Sequence, residues 1–146
     1  MKFATSYFYQ IRHFSPNMIP ISTAMYPPKW YGNGFWRDSR NVINGLSCKE
    51  LAPGPLCEGL CHGDCVPMDS DNCSFLDYYA QQLNTVEFLP IYDRAIKVAK
   101  FAGISIDDAI IVFMVYEAPN NPCSERCAIQ NWVRSNGYEC NELTFK

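Results

Sequence analysis

Hydrophobic and polar positions follow two different rhythms along this chain. Residues 2–11, KFATSYFYQI, and 18–25, MIPISTAM, are rich in β-branched and aromatic types and bounded by turn residues, so both predict strands. Pro20 cannot donate to a central ladder, which places the second strand at an edge or entry position. The rhythm changes at residue 74. Phe75, Tyr79, Leu83 and Val86 recur every three or four residues and predict a helix with one apolar face. Ser74 is the candidate N-cap, with Asp71 and Asn72 competing for that position. Ile91, Ala95, Val98, Ala99 and Ala102 mark a second amphipathic helix, stopped by Gly103. Residues 109–118, AIIVFMVYEA, form a continuous apolar run that suits a central strand covered on both faces. Ile129, Trp132 and Val133 give a last helix its inward stripe, Asn136-Gly137 end it, and YECNELTF reads as a closing strand.

From Tyr26 to about Cys73 neither rhythm holds. An irregular stretch this long within a compact domain points to a function or to something that holds it. Strands first, helices after, and a β–α–β finish predict one α/β domain over residues 1–146. Its expected architecture is three-layered: a mostly parallel sheet flanked by helices, with a long Cys-rich metal-binding loop at 57–73.

Composition narrows the function classes. The 146 residues are 48% hydrophobic, enough for a sizeable core, and only 18% charged, which argues against disorder. A net charge of -3 argues against general binding to a DNA backbone, although a local basic patch is compatible with it. No apolar run approaches the roughly 18 residues needed to cross a bilayer, so no membrane partner is expected. The opening MKFATSYFYQIRHF is interrupted by Thr5, Ser6, Gln10, Arg12 and His13 and does not read as a signal peptide. The expectation is a cytoplasmic, reducing setting, in which eight cysteines serve as metal ligands, reactive thiols or buried residues. The even number keeps a disulfide-bonded alternative open.

Cys57, Cys61, Cys65 and Cys73 fall as C-x3-C-x3-C-x7-C inside the irregular stretch. Four thiolates could close a tetrahedral zinc site and supply folding energy that the sparse apolar content cannot. An iron–sulfur cluster is the rival, since four thiolates suit it too, and His62 could replace one ligand. A site saturated by four thiolates has no open position, so its expected role is structural.

The second chemical signal is YEAPNNPCSERCAIQNWV, residues 116–133. A helix beginning near Pro122 to Ser124 would put Cys123 at its N-cap or first turn, where unpaired N–H groups and the helix dipole favour anions and lower a thiol pKa. Cys123 is thus a candidate nucleophile. Backbone amides with Ser124 and Arg126 would equally hold a phosphate or carboxylate without covalent chemistry. Plainer alternatives stand beside these: Cys123 as a small buried hydrophobe, Ser124 as the N-cap with Cys127 in the core, and Arg126 paired with Glu125 or Glu117. With only His13 and His62 present, a Cys-His pair has little support, and no phosphate-binding glycine motif or HExxH occurs.

Three segments, KFATSYFYQ, PISTAMYPPKWYG and IIVFMVYEAPNNPCSERCAIQNWV, resemble the DUF488 family of uncharacterised α/β proteins in order and in type. They cover roughly half of the chain. The family's Cys-His-Arg is replaced here by CSER, without the His and with one extra residue before Arg126. The Asp-x-Arg that often follows the second strand is replaced by Thr23-Ala24-Met25. The Cys-rich insertion resembles that of small phage proteins of this type. The resemblance implies a sheet flanked by helices and places Tyr7, Tyr26, Lys29, Trp30, Glu117, Cys123 and Arg126 around one pocket.

YPPKWYGNGFW sets aromatic faces beside Lys29 and Arg37, a composition suited to stacking a base or another planar ring, although Trp30, Tyr31, Phe35 and Trp36 could instead cap the core. The function expected is binding of a nucleotide-like or nucleobase-like anion at the strand carboxyl ends. Arg126 and the helix amides would hold the charge, Lys29 would add a second, Trp30 or Tyr26 would stack, and Glu117 would read a polar edge. The alternatives are a thiol-dependent hydrolase or transferase on a nucleoside or nucleic-acid component, and a phage factor that binds a host protein.

Overall fold

The computed structural model describes residues 1–54, 57, 73–121 and 124–145. Two outer layers enclose a four-stranded sheet in the order β2-β5-β1-β6, every neighbouring pair parallel. Its strands are β1 (Lys2–Tyr7), β2 (Met18–Ser22), β5 (Ile110–Val115) and β6 (Cys140–Glu142). A two-stranded antiparallel hairpin, β3 (Trp36–Arg37) with β4 (Ile43–Asn44), lies apart from it. The fold class expected from sequence is therefore the one adopted.

The apolar run becomes β5, flanked by β1 and β2, and residues 111–115 are fully buried. Each large side chain there contributes about 1.5–3 kcal/mol by leaving water. Pro20 sits in β2 opposite Val112, and β2 is an edge strand of this sheet, as its missing N–H requires.

Alternation along β5 sorts the two cores. Ile111, Phe113 and Val115 pack with Phe3 and Ile21 against α1 (Ser74–Asn84), α2 (Phe88–Phe101) and α3 (Arg126–Ser135). Val112 and Met114 face the other way, toward Phe8, Ile11, Phe14, Tyr31 and Val42. That second outer layer is built from 3-10 turns and the Val42 approach to the hairpin rather than long helices, while Ile43 of the hairpin joins the helix-side core.

Several boundaries differ from expectation. β1 stops at Tyr7 because Phe8–His13 wind into a 3-10 turn that buries Phe8 and Ile11, where an extended strand was expected to residue 11. α1 begins at Ser74 with Cys73 in the cap position, so Ser74 is the first helical residue rather than the N-cap. α3 begins at Arg126, two to four residues later than expected. Cys127 is exposed on α3, not in the core, because the inward stripe is Ile129, Trp132 and Val133.

The irregular stretch is partly ordered by short elements. A 3-10 turn at Lys29–Tyr31 drives Tyr31 fully into the second core, its hydroxyl 2.5 Å from the Leu46 carbonyl and 3.1 Å from that of Pro20. Arg37 donates to the Ala102 carbonyl at the end of α2, where the helix dipole favours a cation, and Phe35 packs edge-on against Phe101. Gly45 has φ +88, and a Cβ there would lie 1.8 Å from the Gly34 carbonyl oxygen, so only glycine fits this close approach.

Candidate functional site

Every sheet strand points the same way, so the carboxyl ends of β1, β2 and β5 lie on one rim. The chain leaves β1 toward the hairpin layer, since Phe8 and Ile11 join that core, and reaches β6 from β5 through α3 on the opposite layer. Opposite exits from adjacent strands open a crevice at their carboxyl ends, the usual ligand position in open α/β sheets. Buried polar residues concentrate near this rim: Ser6, Ser22, Thr23, Ser124, Glu125 and Arg126. Thr23 donates both its N–H and its hydroxyl to the Met114 carbonyl, at 3.0 and 2.9 Å, closing the top of the β2–β5 ladder.

Arg126, the first residue of α3, is 4% exposed. Its Nε donates to Glu142 Oε1 at 2.8 Å, Nη1 donates to the Ala118 carbonyl at 2.9 Å, and Nη2 donates to the Glu117 carbonyl and, at 3.5 Å, to Glu142 Oε2. Four of five guanidinium donors are thus used, and the anion this arginine holds is Glu142 of the chain's own β6. Thr5 Oγ1 also donates to Glu142 Oε1, at 2.8 Å, and receives a bond from Gln130 Nε2. The network ties the β5–α3 connection to β1 and β6. Tyr7 stands beside it, with the Arg126 guanidinium carbon 5.9 Å from its ring centre and its hydroxyl bonded to Gln10. Ser124 is fully buried and its Oγ accepts the Arg126 N–H at 3.3 Å. The backbone carbonyl of Glu117 serves Arg126, and its side chain is half-buried. Cys123 lies outside the described residues.

A cleft of ≈ 800 Å³ opens at the carboxyl end of β2. One wall is the Ala24–Lys29 turn and the other is Ser47–Lys49 with Ala52–Gly54. Parallel pairing draws the walls together: Ser22 N–H donates to the Leu46 carbonyl at 2.8 Å and Cys48 N–H to the Ser22 carbonyl at 2.9 Å. From the end of β5, the Tyr116 hydroxyl donates to the Tyr26 carbonyl and pins the turn. Lys29 and Lys49 line the cleft, Tyr26 stands at it 79% exposed, and no carboxylate lines it among the described residues. Lys49 was not foreseen. Twenty positions separate the two lysines, and no spacing rule in the sequence connects them.

Cys48 also lines this cleft, 5% exposed. Burial, together with Glu50 Oε2 at 3.4 Å from the sulfur, pushes its thiol up to about 11, so it stays protonated at neutral pH and is a poor nucleophile. Glu50 in turn is bound by Arg94.

Trp30 does not share the cleft with its neighbour Lys29. It lines a separate groove of ≈ 340 Å³ on the other side of the Lys29–Tyr31 turn, with Tyr9, Arg12, Trp36 and Arg40. The aromatic segment divides: Tyr31 caps the core, while Trp30, Phe35 and Trp36 keep 55%, 37% and 39% of their surface exposed. The expected ring of seven residues about one pocket is thus distributed. Tyr26 and Lys29 line the cleft, Trp30 the groove, and Tyr7, Glu117 and Arg126 the buried corner, which Ser124 also joins, while Cys123 is outside the described residues. His13 lies against the Phe145 ring, centroids 5.5 Å apart.

Of the four expected metal ligands, Cys57 and Cys73 are described, 3% and 1% exposed in the main core, while Cys61 and Cys65 lie outside the described residues. Among the described residues no three side chains group as metal ligands. No helix in them is long and apolar enough to cross a membrane. Comparison of the chain with family models, with curated proteins and with solved structures finds no match.

Proposed function

We propose that this protein binds a small anionic ligand with a planar ring, nucleotide-like or nucleobase-like, in the cleft at the carboxyl end of β2. Lys29 and Lys49 from the two walls neutralise the charged group, and Tyr26 stacks on the ring. One observation carries the reading: two lysines and an exposed tyrosine line a single cleft in which no described carboxylate competes for the cations. Arg126 supports the site from behind, by fixing the end of β5 whose Tyr116 holds the Tyr26 turn. The resemblance to the DUF488 family adds the expectation of a site at the strand ends and no activity. Zinc held by Cys57, Cys61, Cys65 and Cys73 is proposed as a structural element; two of these thiols are anchored in the core.

The test is a panel of nucleoside mono- and diphosphates, read by thermal shift and calorimetry. At least one is expected to raise the melting temperature, and the Lys29→Ala/Lys49→Ala double variant to weaken it by about 10-fold or more, as loss of two charge-assisted contacts predicts. A panel without any shift, or binding that the double variant leaves intact, sinks the proposal.

A further inference from the structure

The net charge of -3 conceals a strong asymmetry. Residues 1–50 contain six Lys and Arg against two Asp and Glu, whereas residues 51–146 contain six against thirteen. Part of this basic third, Phe8 to Phe14 with Tyr31 and Val42, covers the side of the sheet away from the three α-helices, while Ile43 and Cys48 pack on the helix side. Exposed rings stand among its cations. Tyr9 is 59% exposed, with the Arg12 guanidinium carbon 3.8 Å from its ring centre. Trp30 lines the same groove as this pair, and across the turn that carries Trp30 lie Lys29, Lys49 and Tyr26. Arg40 holds the groove wall, donating to the Ile11 and Arg12 carbonyls. The groove's one carboxylate among the described residues, Asp38, is already paired with Arg40 at 3.0 Å. Among the described residues that line the cleft and the groove, three exposed cations other than the paired Arg40 therefore face an outside partner: Arg12, Lys29 and Lys49.

We infer that this face binds single-stranded nucleic acid, with one base against Tyr26 in the cleft and a nearby base against Trp30 in the groove, and phosphates on Arg12, Lys29 and Lys49. The inference rests on the reading of the cleft as a nucleotide-like site and extends it to a polymer. Aromatic faces beside a cationic track are what unpaired bases require, since every base offers a ring face for stacking. A duplex hides those faces, and the acidic remainder of the molecule disfavours duplex binding through charge alone.

The experiment measures anisotropy of fluorescein-labelled dT10 and U10. A 10-base-pair duplex, free TMP and UMP, and phosphatidylserine vesicles serve as comparisons. Three phosphate contacts predict that log K falls with log salt at a slope of about −2. The decamer is expected to bind at least about 10-fold tighter than the mononucleotide. Trp30→Ala and Arg12→Ala, both at exposed positions, should each weaken the decamer about 5-fold or more, the low end of one stacked base. Neither should change mononucleotide affinity or the urea midpoint. A decamer no tighter than the mononucleotide, or indifferent to both substitutions, overturns the inference and leaves the cleft reading intact. Duplex binding as tight as the single strand, or Trp30-dependent vesicle binding without decamer binding, overturns it as well. If the mononucleotides fail to bind while the decamer binds with Trp30 and Arg12 dependence, the small-ligand reading falls and the nucleic-acid surface stands.

Discussion

Arg126 shows how one side chain changes meaning between a sequence and a fold. Beside a cysteine at a helix start it reads as a hand for a ligand's charge. In the structure its fork is filled by Glu142 and two backbone carbonyls, and it is 4% exposed. Removing it leaves a part-buried carboxylate and two carbonyls without their donors, which costs about 3 kcal/mol, the lower end for breaking a buried pair. Arg126→Ala is therefore expected to lower the urea unfolding midpoint sharply, whereas Lys29→Ala, at an exposed position, leaves it nearly unchanged. Equal, small effects of the two would mean that the Glu142 network contributes nothing. The partner was hidden in the sequence because Glu142 lies 16 positions away, on a strand beyond the far end of α3. Glu117 and Glu125, which local spacing offered, were the wrong carboxylates for a residue pointed at β6.

At the level of elements, the long periodic segments were the legible ones. α2 and the β5 run follow their apolar patterns closely because each buries a continuous face, and burial enforces the period. Segments between Tyr26 and Gly54 were opaque, since their order comes from contacts at a distance. Tyr31 is held by Leu46 and Pro20, Gly54 by Gln82 of α1, and Tyr79 of α1 donates to the Leu51 carbonyl at 2.6 Å. The Cys-rich stretch belongs to this scale too. Cys57 and Cys73 are its buried flanks, so a zinc ion bound with Cys61 and Cys65 would be tied to the core at both ends. Elemental analysis of the purified protein is expected to return one zinc per chain and a colourless spectrum. A brown protein would replace zinc by an iron–sulfur cluster, and a metal-free protein would remove the site.

For the molecule as a whole, the buried acids set how stability depends on pH. Burial pushes the thiols of Cys48 and Cys140 from an ordinary 9.0 up to about 11 and about 12, and raises the phenol hydroxyls of Tyr31 and Tyr79 as well. Above pH 9 the unfolded chain releases thiol protons that the folded chain keeps, so stability falls as pH rises from 9 toward 11. Below pH 9 these groups are protonated in both states and contribute no slope. Urea midpoints should be flat across neutral pH and then decline, with a shallower decline in Cys48→Ala/Cys140→Ala. An unchanged slope in that variant would assign the effect to other groups.

The sequence by itself determined the α/β class, the central place of the apolar strand, the edge position of the Pro20 strand, and the existence of three amphipathic helices. The helices and the central strand follow from burying a local apolar face or run, and the edge position follows from the N–H that Pro20 lacks; each is a local property of the chain. Only the tertiary structure decided which charges are free. It buried Arg126 against Glu142, brought Lys49 across from Lys29, and set Trp30 and Tyr26 in separate hollows on either side of one turn. The physical reason is that a charge is satisfied by whatever lies within about 4 Å of it, and in a parallel sheet those neighbours come from strands far apart along the chain.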